Sequence, residues 1–159
     1  MQESFCNLGG VALDVIFLLL LAIHCYSDIK YMLLYDKVTL FLAAVGLWRA
    51  WYLGSLLEAV SGAAVLLAIM LLLYLASRGG MGEGDVKLAP ALGLWLGVQP
   101  GLVCLLLAFV GGGAVGGMLL ACGRASRRQV LPFGPFLCLA AVVAHFWGRE
   151  LLVWYWGLF

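Results

Sequence analysis

The sequence predicts an all-α fold, a polytopic membrane helix bundle with about six transmembrane helices and its N-terminus outside. Of the 159 residues, 65% are hydrophobic and 11% are charged, whereas a soluble domain is roughly half apolar and about a quarter charged. This composition excludes a soluble globular enzyme and a disordered protein. The net charge of +1 leaves no basic surface for a nucleic acid. We therefore expect a single transmembrane domain over residues 1–159.

Apolar runs separated by polar and glycine-containing breaks predict the individual helices. A helix that crosses a bilayer needs about 20 apolar residues. We expect helices near residues 11–27, 38–52, 59–76, 86–98, 102–122 and 133–147. The aromatic stretch 153–159 is too short to cross and predicts an interfacial segment of the Trp/Tyr belt type.

The distribution of Lys and Arg predicts the orientation of the bundle. Short cytosolic loops carry an excess of positive residues. With the N-terminus outside, only Arg49 and Arg149 lie on the outer side. The inner side then holds Lys30, Lys37, Arg78, Lys87, Arg124, Arg127 and Arg128. We therefore expect a multi-pass protein of the cytoplasmic membrane, with its chemistry at the cytosolic face.

The cysteines predict neither a metal site nor a disulfide framework. The five, among which there is no C-x-x-C pair, are Cys6, Cys25, Cys104, Cys122 and Cys138. Without paired spacing, we interpret them as small buried apolar residues and expect no metal and no cofactor.

A cluster of glycines marks the fifth apolar run. Its members are Gly111, Gly112, Gly113, Gly116 and Gly117. The spacing predicts close helix packing of the small-x-x-x-small kind. A sliding or gating helix is the alternative interpretation.

Two aspartates at the predicted cytosolic boundary are the candidate catalytic residues. A carboxylate at membrane depth costs free energy and is a functional candidate by default. Asp28 ends the first apolar run and Asp85 begins the fourth, so the topology places both at one face. Two neighbouring carboxylates can share a proton and activate water for peptide hydrolysis. We expect one Asp to take a proton from water and the other to donate one to the scissile carbonyl.

The residues before Asp85 are Gly82, Glu83 and Gly84. Such a sequence is also typical of a glycine-rich turn with a helix cap. We expect the glycines to adopt backbone conformations closed to other residues and to let a substrate strand approach.

Helix dipoles favour negative charge at an N-terminus, where Asp85 lies, and disfavour it at a C-terminus, where Asp28 lies. The dipoles therefore predict that the shared proton resides mainly on Asp28.

Three motifs together resemble the type IV prepilin leader peptidases, which are membrane-embedded aspartic proteases of the G-x-G-D type. They are Asp28 with the following IKYMLLYDKVTL, MGEGDVKL at 81–88 and LPFGPFL at 131–137. The resemblance covers about residues 11–147 and implies that Asp28 and Asp85 are the catalytic pair. It also implies cleavage after a glycine, between a basic cytosolic leader and a hydrophobic helix. The implied substrates are prepilins or pseudopilins of pilus, type II secretion or competence systems.

The sequence departs from that family in two places. Tyr35 stands where the family usually has proline, a change that we expect to alter the loop after Asp28 or its contact with substrate. The methyltransferase segment of full-length members, often with zinc-binding cysteine pairs, has no counterpart in the sequence. We therefore expect leader cleavage without N-methylation, with any methylation carried out by another protein.

Several neighbouring polar residues are expected to shape the site. We interpret Asp36 as the cap of the second helix, with Thr39 three residues later, and a third acidic role as the alternative. Glu83 is expected to be a solvated loop charge, or else to bind the basic leader. Lys87 is interpreted as an anchor to anionic lipid. The turn that the resemblance places at the site contains Pro132, Gly134 and Pro135.

Two polar residues lie inside the first apolar run. We interpret His24 as a bundle-facing residue rather than a partner of Asp28. At 1.5 Å per residue, Asp14 lies ~21 Å above Asp28. Arg49 lies ~20 Å above Asp36 on the next, antiparallel helix. The equal depth predicts a structural ion pair between Asp14 and Arg49.

Other functions fit the sequence less well than prepilin cleavage. A presenilin-like or archaeal preflagellin protease would share the G-x-G-D element, but the L-P-F-G-P-F run favours the bacterial type. A non-catalytic assembly factor would not need both aspartates. A small transporter subunit would place ionisable groups near the middle of the membrane, where this sequence has few.

Overall fold

A computed structural model describes residues 2–77, 81–122 and 132–157. Within these ranges the chain forms helices and connecting turns, with no strand. The helices are α1 (Gln2–Tyr31), α2 (Asp36–Tyr52), α3 (Leu56–Ala76), α4 (Glu83–Leu96), α5 (Val98–Ala121) and α6 (Gly134–Trp156). The all-α prediction is therefore confirmed. Four of the positive residues assigned to the inner side, Arg78, Arg124, Arg127 and Arg128, lie outside the described residues.

Four of the described helices have the length and composition of membrane spans. These segments are Gly9–Tyr31, Leu56–Ala76, Val98–Leu119 and Gly134–Trp156. The remaining two are shorter, since α2 has 17 residues and α4 has 14. At the helical rise per residue they are about 25 Å and 21 Å long. The prediction of a multi-pass helical membrane bundle is confirmed.

The first and last helices are longer than their apolar runs. α1 continues to Tyr31, past Asp28, and α6 continues to Trp156. Residues 153–156, which belong to the stretch predicted to lie at the interface, form the end of α6. Apolar runs mark the part of a helix that suits hydrocarbon, whereas backbone hydrogen bonding continues through polar residues such as Arg149 and Glu150.

The short helix α4 lies at the centre of the bundle. It packs against α2, α3, α5 and α6. Its backbone meets that of α3 directly, since an added Cβ on Gly93 would lie 2.5 Å from the backbone nitrogen of Ala63. An added Cβ on Gly62 would lie 2.5 Å from the carbonyl carbon of Gly97. Glycine therefore sets the close approach of α3 to α4.

The glycine cluster of α5 makes the close helix packing that was predicted only in part. An added Cβ on Gly113 or Gly117 would meet nothing within 4 Å. Gly111 and Gly112 do face α6, where an added Cβ would lie 3.6 Å and 3.3 Å from Phe136 and Phe133, respectively. Only part of the cluster therefore packs against another described helix.

The cysteines divide by their position in the helices. Cys104 and Cys138 are buried and Cys25 is half-buried, in agreement with their interpretation as core residues. Cys122 is exposed, so that interpretation is wrong for it, because it follows the end of α5. The side chain of Cys6 lies outside the described part of the chain.

Candidate active site

Asp28 and Asp85 line one cavity of about 740 Å³. Its walls are residues 32–38, after α1, and residues 82–85, at the start of α4. The two aspartates are themselves almost inaccessible, with relative exposures of 7% and 5%. Two carboxylates that are distant in sequence thus meet at the ends of two helices.

The cavity lies between α1 and α4, whose backbones do not approach each other closely. Among the described residues no Cα atoms of these two helices come within 8 Å of each other. Both helices pack instead against α2 and α6. Towards the other end, large side chains fill the gap, since the rings of Phe17 and Trp95 stack with centroids 4.6 Å apart. At the aspartate end the gap stays open, which leaves room for a substrate.

Asp28 accepts a hydrogen bond from the first residue of α6. The backbone N–H of Gly134 donates to Asp28 Oδ2 over 2.9 Å, and the bond is buried. An added Cβ on Gly134 would lie 2.7 Å from the same oxygen. Pro135 is buried in the same turn and Pro132 is half-buried before it. The turn identified by resemblance therefore reaches the site through the backbone of Gly134.

Asp85 has a different environment. It is the third residue of α4, whose N-cap is Gly82 and which has no side-chain cap. Asp85 therefore does not cap the helix. Its Oδ1 atom is buried without a hydrogen-bond partner in the described part of the chain. Such an atom is free to bind a substrate group.

The two motif glycines provide space rather than unusual backbone conformations. Gly82 has φ −69° and ψ 135°, which other residues adopt readily. An added Cβ on Gly84 would lie 2.9 Å from Leu34 Cβ. The expectation of glycine-only conformations is therefore wrong. Gly84 lets the loop after α1 lie directly on the first turn of α4.

A hydrogen bond that sequence reasoning missed ties this loop to α1. The hydroxyl of Ser27, beside Asp28, donates to the carbonyl oxygen of Leu33. Met32, between them, has a positive φ of 50°, so the chain turns sharply after the helix. The only signal in the sequence was a polar residue adjacent to Asp28 at the end of an apolar run.

Tyr35, where the related family usually has proline, has φ −73°. Proline fixes φ close to this value. The backbone of the loop therefore suits either residue, and the expected change in loop geometry is not needed to accommodate Tyr35. The Tyr35 residue lines the cavity, where it can contact a substrate.

The polar residues at the rim have partners that differ from those predicted. Asp36 is the first residue of α2 and forms no cap. Its two carboxylate oxygens instead accept hydrogen bonds from Lys87 Nζ over 3.1 Å and 3.0 Å. Lys87 is therefore an ion-pair partner that joins α2 to α4. Glu83 belongs to α4 rather than to a loop, and its carboxylate accepts a hydrogen bond from the Tyr74 hydroxyl.

His24 faces the bundle interior, as predicted. Its Nδ1 lies 2.8 Å from the Leu20 carbonyl oxygen, and its Nε2 lies 3.0 Å from Thr39 Oγ1. The Thr39 hydroxyl also reaches the Tyr35 carbonyl oxygen at 3.3 Å. The contact with Thr39 joins α1 to the first turn of α2, and none of these bonds involves Asp28.

The predicted ion pair between Asp14 and Arg49 is wrong. Asp14 Oδ1 lies 2.9 Å from His145 Nε2 of α6. Arg49 donates instead to the Trp95 carbonyl oxygen over 3.3 Å, with its guanidinium 5.6 Å from the centre of the Trp95 ring. The prediction rested on the equal depth of Asp14 and Arg49, but Asp14 lies on the face of α1 that packs against α6.

The described residues contain no group of three His, Cys, Asp or Glu side chains that could hold a metal ion. Asp28 and Asp85 are the buried ionisable residues among those that line the cavity. Two buried carboxyl groups that share a site favour a single shared proton, because a second negative charge is disfavoured. Such a pair holds both a proton acceptor and a proton donor, which is what hydrolysis of a peptide bond requires.

A comparison with protein families identifies the group to which this arrangement belongs. The model of the type IV leader peptidase family matches residues 15–117. The chain belongs to this family. Asp28 and Asp85 both lie within the matched residues, and Gly134 lies beyond them.

Curated relatives extend the similarity over most of the chain. It is 35% identical over 139 residues to the prepilin leader peptidase/N-methyltransferase of Legionella pneumophila, covering 83% of this chain and 48% of the relative. The protein of that name from Bacillus subtilis (strain 168) is 30% identical over 157 residues, covering 92% and 61%. The one from Aeromonas hydrophila is 37% identical over 137 residues, covering 82% and 47%. The chain thus spans about half the length of these relatives, and no solved structure matches it.

Proposed function

We propose that this chain is an aspartic endopeptidase that removes the basic leader of type IV prepilins or pseudopilins after a glycine. The observation that carries the proposal is the meeting of Asp28 and Asp85 at one cavity in a member of the type IV leader peptidase family. Neither carboxylate has a cationic partner within 4.0 Å among the described residues. The names of the relatives support the substrate class.

The proposed reaction is the direct attack of water on the scissile carbonyl. One carboxylate takes a proton from the water as its oxygen bonds to the carbonyl carbon, and the other carboxyl gives its proton to the carbonyl oxygen. The carbon–nitrogen bond then breaks as the first carboxyl returns a proton to the amine nitrogen. The gem-diol hydroxyl proton returns to the second carboxylate, so one water is consumed and the pair is restored.

The positions of the charged residues support a cytosolic site in the bacterial inner membrane. Lys30, Lys37 and Lys87 lie at the ends of α1, α2 and α4 that surround the aspartates. Arg49 and Arg149 line a second cavity, formed by the opposite ends of α2 and α4. Because positive residues accumulate at cytosolic loops, this distribution favours an N-terminus outside and an aspartate pair inside.

The cavity suits the junction between a leader and a hydrophobic helix. Its wall is amphipathic, with apolar residues such as Leu33 and Leu34 beside the acidic Glu83. A substrate helix has to unwind before its carbonyl groups can react, because they are otherwise hydrogen-bonded. A site at the membrane boundary makes this easier, since water can replace those bonds. We propose that Glu83 attracts the positive charges of the leader.

Co-expression with a candidate prepilin tests the proposal. We expect the wild type to remove the leader, seen as a shorter product whose new N-terminus follows a glycine. Asp28→Ala and Asp85→Ala should leave the precursor intact, whereas Asp14→Ala, which removes a carboxylate remote from the site, should not. Undiminished processing by either catalytic variant would contradict the proposal. An intact precursor with the wild type would favour a non-catalytic role in assembly.

A further inference from the structure

We propose that the backbone amide of Gly134 holds Asp28 as the ionised base of the pair, while Asp85 carries the shared proton. The inference rests on the proposed function of the two carboxylates and assigns them different tasks. It makes the first residue of α6 a positioning group of the site, acting through Asp28.

The first evidence is the bond that Asp28 accepts. The N–H groups in the first turn of a helix have no partner within that helix. Gly134 begins α6, and its N–H donates to Asp28 Oδ2 over 2.9 Å in a buried environment. The positive end of the α6 dipole faces the same carboxylate. A donor bonded to a carboxylate stabilises its ionised form.

The two residues that follow Gly134 in α6 do not offer a backbone N–H to Asp28. Pro135, the next residue, has no N–H to donate. The N–H of Phe136 donates to the carbonyl oxygen of Phe133 over 3.0 Å. Of the first three residues of α6, Gly134 therefore supplies the bond to Asp28. A side chain at this position would displace the carboxylate, since an added Cβ would lie 2.7 Å from Oδ2.

The second evidence is the lack of such a donor at Asp85. Its Oδ1 atom is buried and has no hydrogen-bond partner among the described residues. An ionised carboxylate without donors is costly to bury, whereas the neutral carboxyl is much less so. The negative charge of Asp28 acts on Asp85 and disfavours a second charge there. The proton therefore belongs on Asp85.

This assignment reverses the one that the helix dipoles predict from the sequence. That prediction considered only the helix to which each aspartate belongs. Asp28 does lie in the last turn of α1, but it also lies against the N-terminus of α6. A hydrogen bond at 2.9 Å outweighs a dipole that falls off within the last turn of the helix.

The assignment divides the steps of hydrolysis between the residues. Asp28 takes the proton from the attacking water and later gives it to the amine nitrogen of the leaving chain. Asp85 donates its proton to the carbonyl oxygen and recovers one when the gem-diol collapses. The free Oδ1 of Asp85 is available to bind the scissile carbonyl group.

Infrared difference spectroscopy of the full chain in lipid nanodiscs tests where the proton lies. We compare the wild type with Asp28→Asn and Asp85→Asn, which have nearly the same shape. We expect the protonated carboxyl band to be lost in Asp85→Asn and kept in Asp28→Asn. Loss in Asp28→Asn alone, or no such band in the wild type, would overturn the inference. The spectrum needs no substrate, so it separates failure of this assignment from failure of the proposed activity.

Substitution of Gly134 tests the positioning role in a cleavage assay. In Gly134→Ala the added Cβ should displace Asp28, and we expect kcat to fall about 100-fold with KM little changed. Gly113→Ala is the matched control, since its Cβ would meet nothing within 4 Å, and it should retain full kcat. A Gly134→Ala variant with the kcat of the wild type would overturn the role of this turn.

Discussion

The carboxylates at the two ends of the bundle differ in their partners and in their burial. At one end Asp14 is paired with His145 across the interface of α1 and α6. At the other end Asp28 and Asp85 are more deeply buried, and neither has a cationic partner in the described part of the chain. A buried charge without a partner destabilises a fold. This contrast supports the proposal that Asp28 and Asp85 serve chemistry, whereas Asp14 serves structure.

The largest expected effect is the loss of activity when either aspartate of the pair is replaced. We expect Asp28→Asn and Asp85→Asn each to lower kcat/KM by about 10⁴-fold or more, as loss of a catalytic group does. Asp85→Asn should not lower the thermal midpoint, because the amide replaces a neutral, buried carboxyl of nearly the same size and polarity. Cleavage rates and thermal unfolding of the purified variants measure both effects.

The matched control for these two variants is Asp14→Asn, at the opposite end of the bundle. It should retain the cleavage rate of the wild type and lower the thermal midpoint, because it weakens the pairing with His145. If Asp14→Asn abolished cleavage while the protein stayed folded, the contrast between the two ends would be wrong.

The next largest effect concerns the loop after α1, which lies on the first turn of α4 at Gly84. Gly84→Ala should push Leu34 away from α4, because the added Cβ would lie 2.9 Å from two of its carbon atoms. We expect a fall of about 10- to 100-fold in kcat/KM, since a small misplacement of reacting groups has effects of this size. The measurement is cleavage of a prepilin peptide, with Gly113→Ala as the control. Equal rates for the two variants would show that the contact of the loop with Gly84 is unimportant.

The pairing of Asp14 can be measured by a double-mutant cycle. Asp14→Ala and His145→Phe remove the hydrogen bond, and the phenylalanine keeps a ring beside Phe17. We expect a coupling free energy of about 1–2 kcal/mol from chemical unfolding. A second cycle, with Asp14→Ala and Arg49→Leu, should give none, because Arg49 contacts Trp95 instead. Coupling of Asp14 to Arg49 rather than to His145 would show that the ion pair predicted from equal depth does form.

The smallest effect is expected at the rim of the cavity. Lys87 and Asp36 form an exposed ion pair, with side-chain exposures of 54% and 68%. Such pairs contribute about 1 kcal/mol or less. Lys87→Gln should therefore change the thermal midpoint little. A large loss of stability would mean that this pair, and not helix packing, holds α2 against α4.

Much of the fold could be predicted because hydrocarbon imposes a simple rule on sequence. Apolar length predicted the core of every described helix, and the positions of Asp28 and Asp85 in their runs placed them at one end of the bundle. Depth along a helix, however, says nothing about the direction in which a side chain points. The partner of Asp14 was missed for this reason, since α1 turns that residue towards α6 and not towards α2.

The details of the candidate site were less accessible to sequence reasoning because they depend on the backbone. The donor to Asp28 is the amide of Gly134, a group that every residue except proline has. The spacing of Gly82 and Gly84 was evident, but the partner that needs the space, Leu34, comes from another part of the chain. The pairing of Asp36 with Lys87 likewise required α2 and α4 to be placed side by side.

The central claim is that Asp28 and Asp85 act together on one peptide bond. It is tested most directly by incubating the purified chain in H₂¹⁸O with a peptide that spans the junction of a prepilin leader and its hydrophobic helix. We predict one cut after the glycine, with a single ¹⁸O atom in the new carboxylate, and no product with either Asp28→Asn or Asp85→Asn. Cleavage at the rate of the wild type by either variant would contradict the claim.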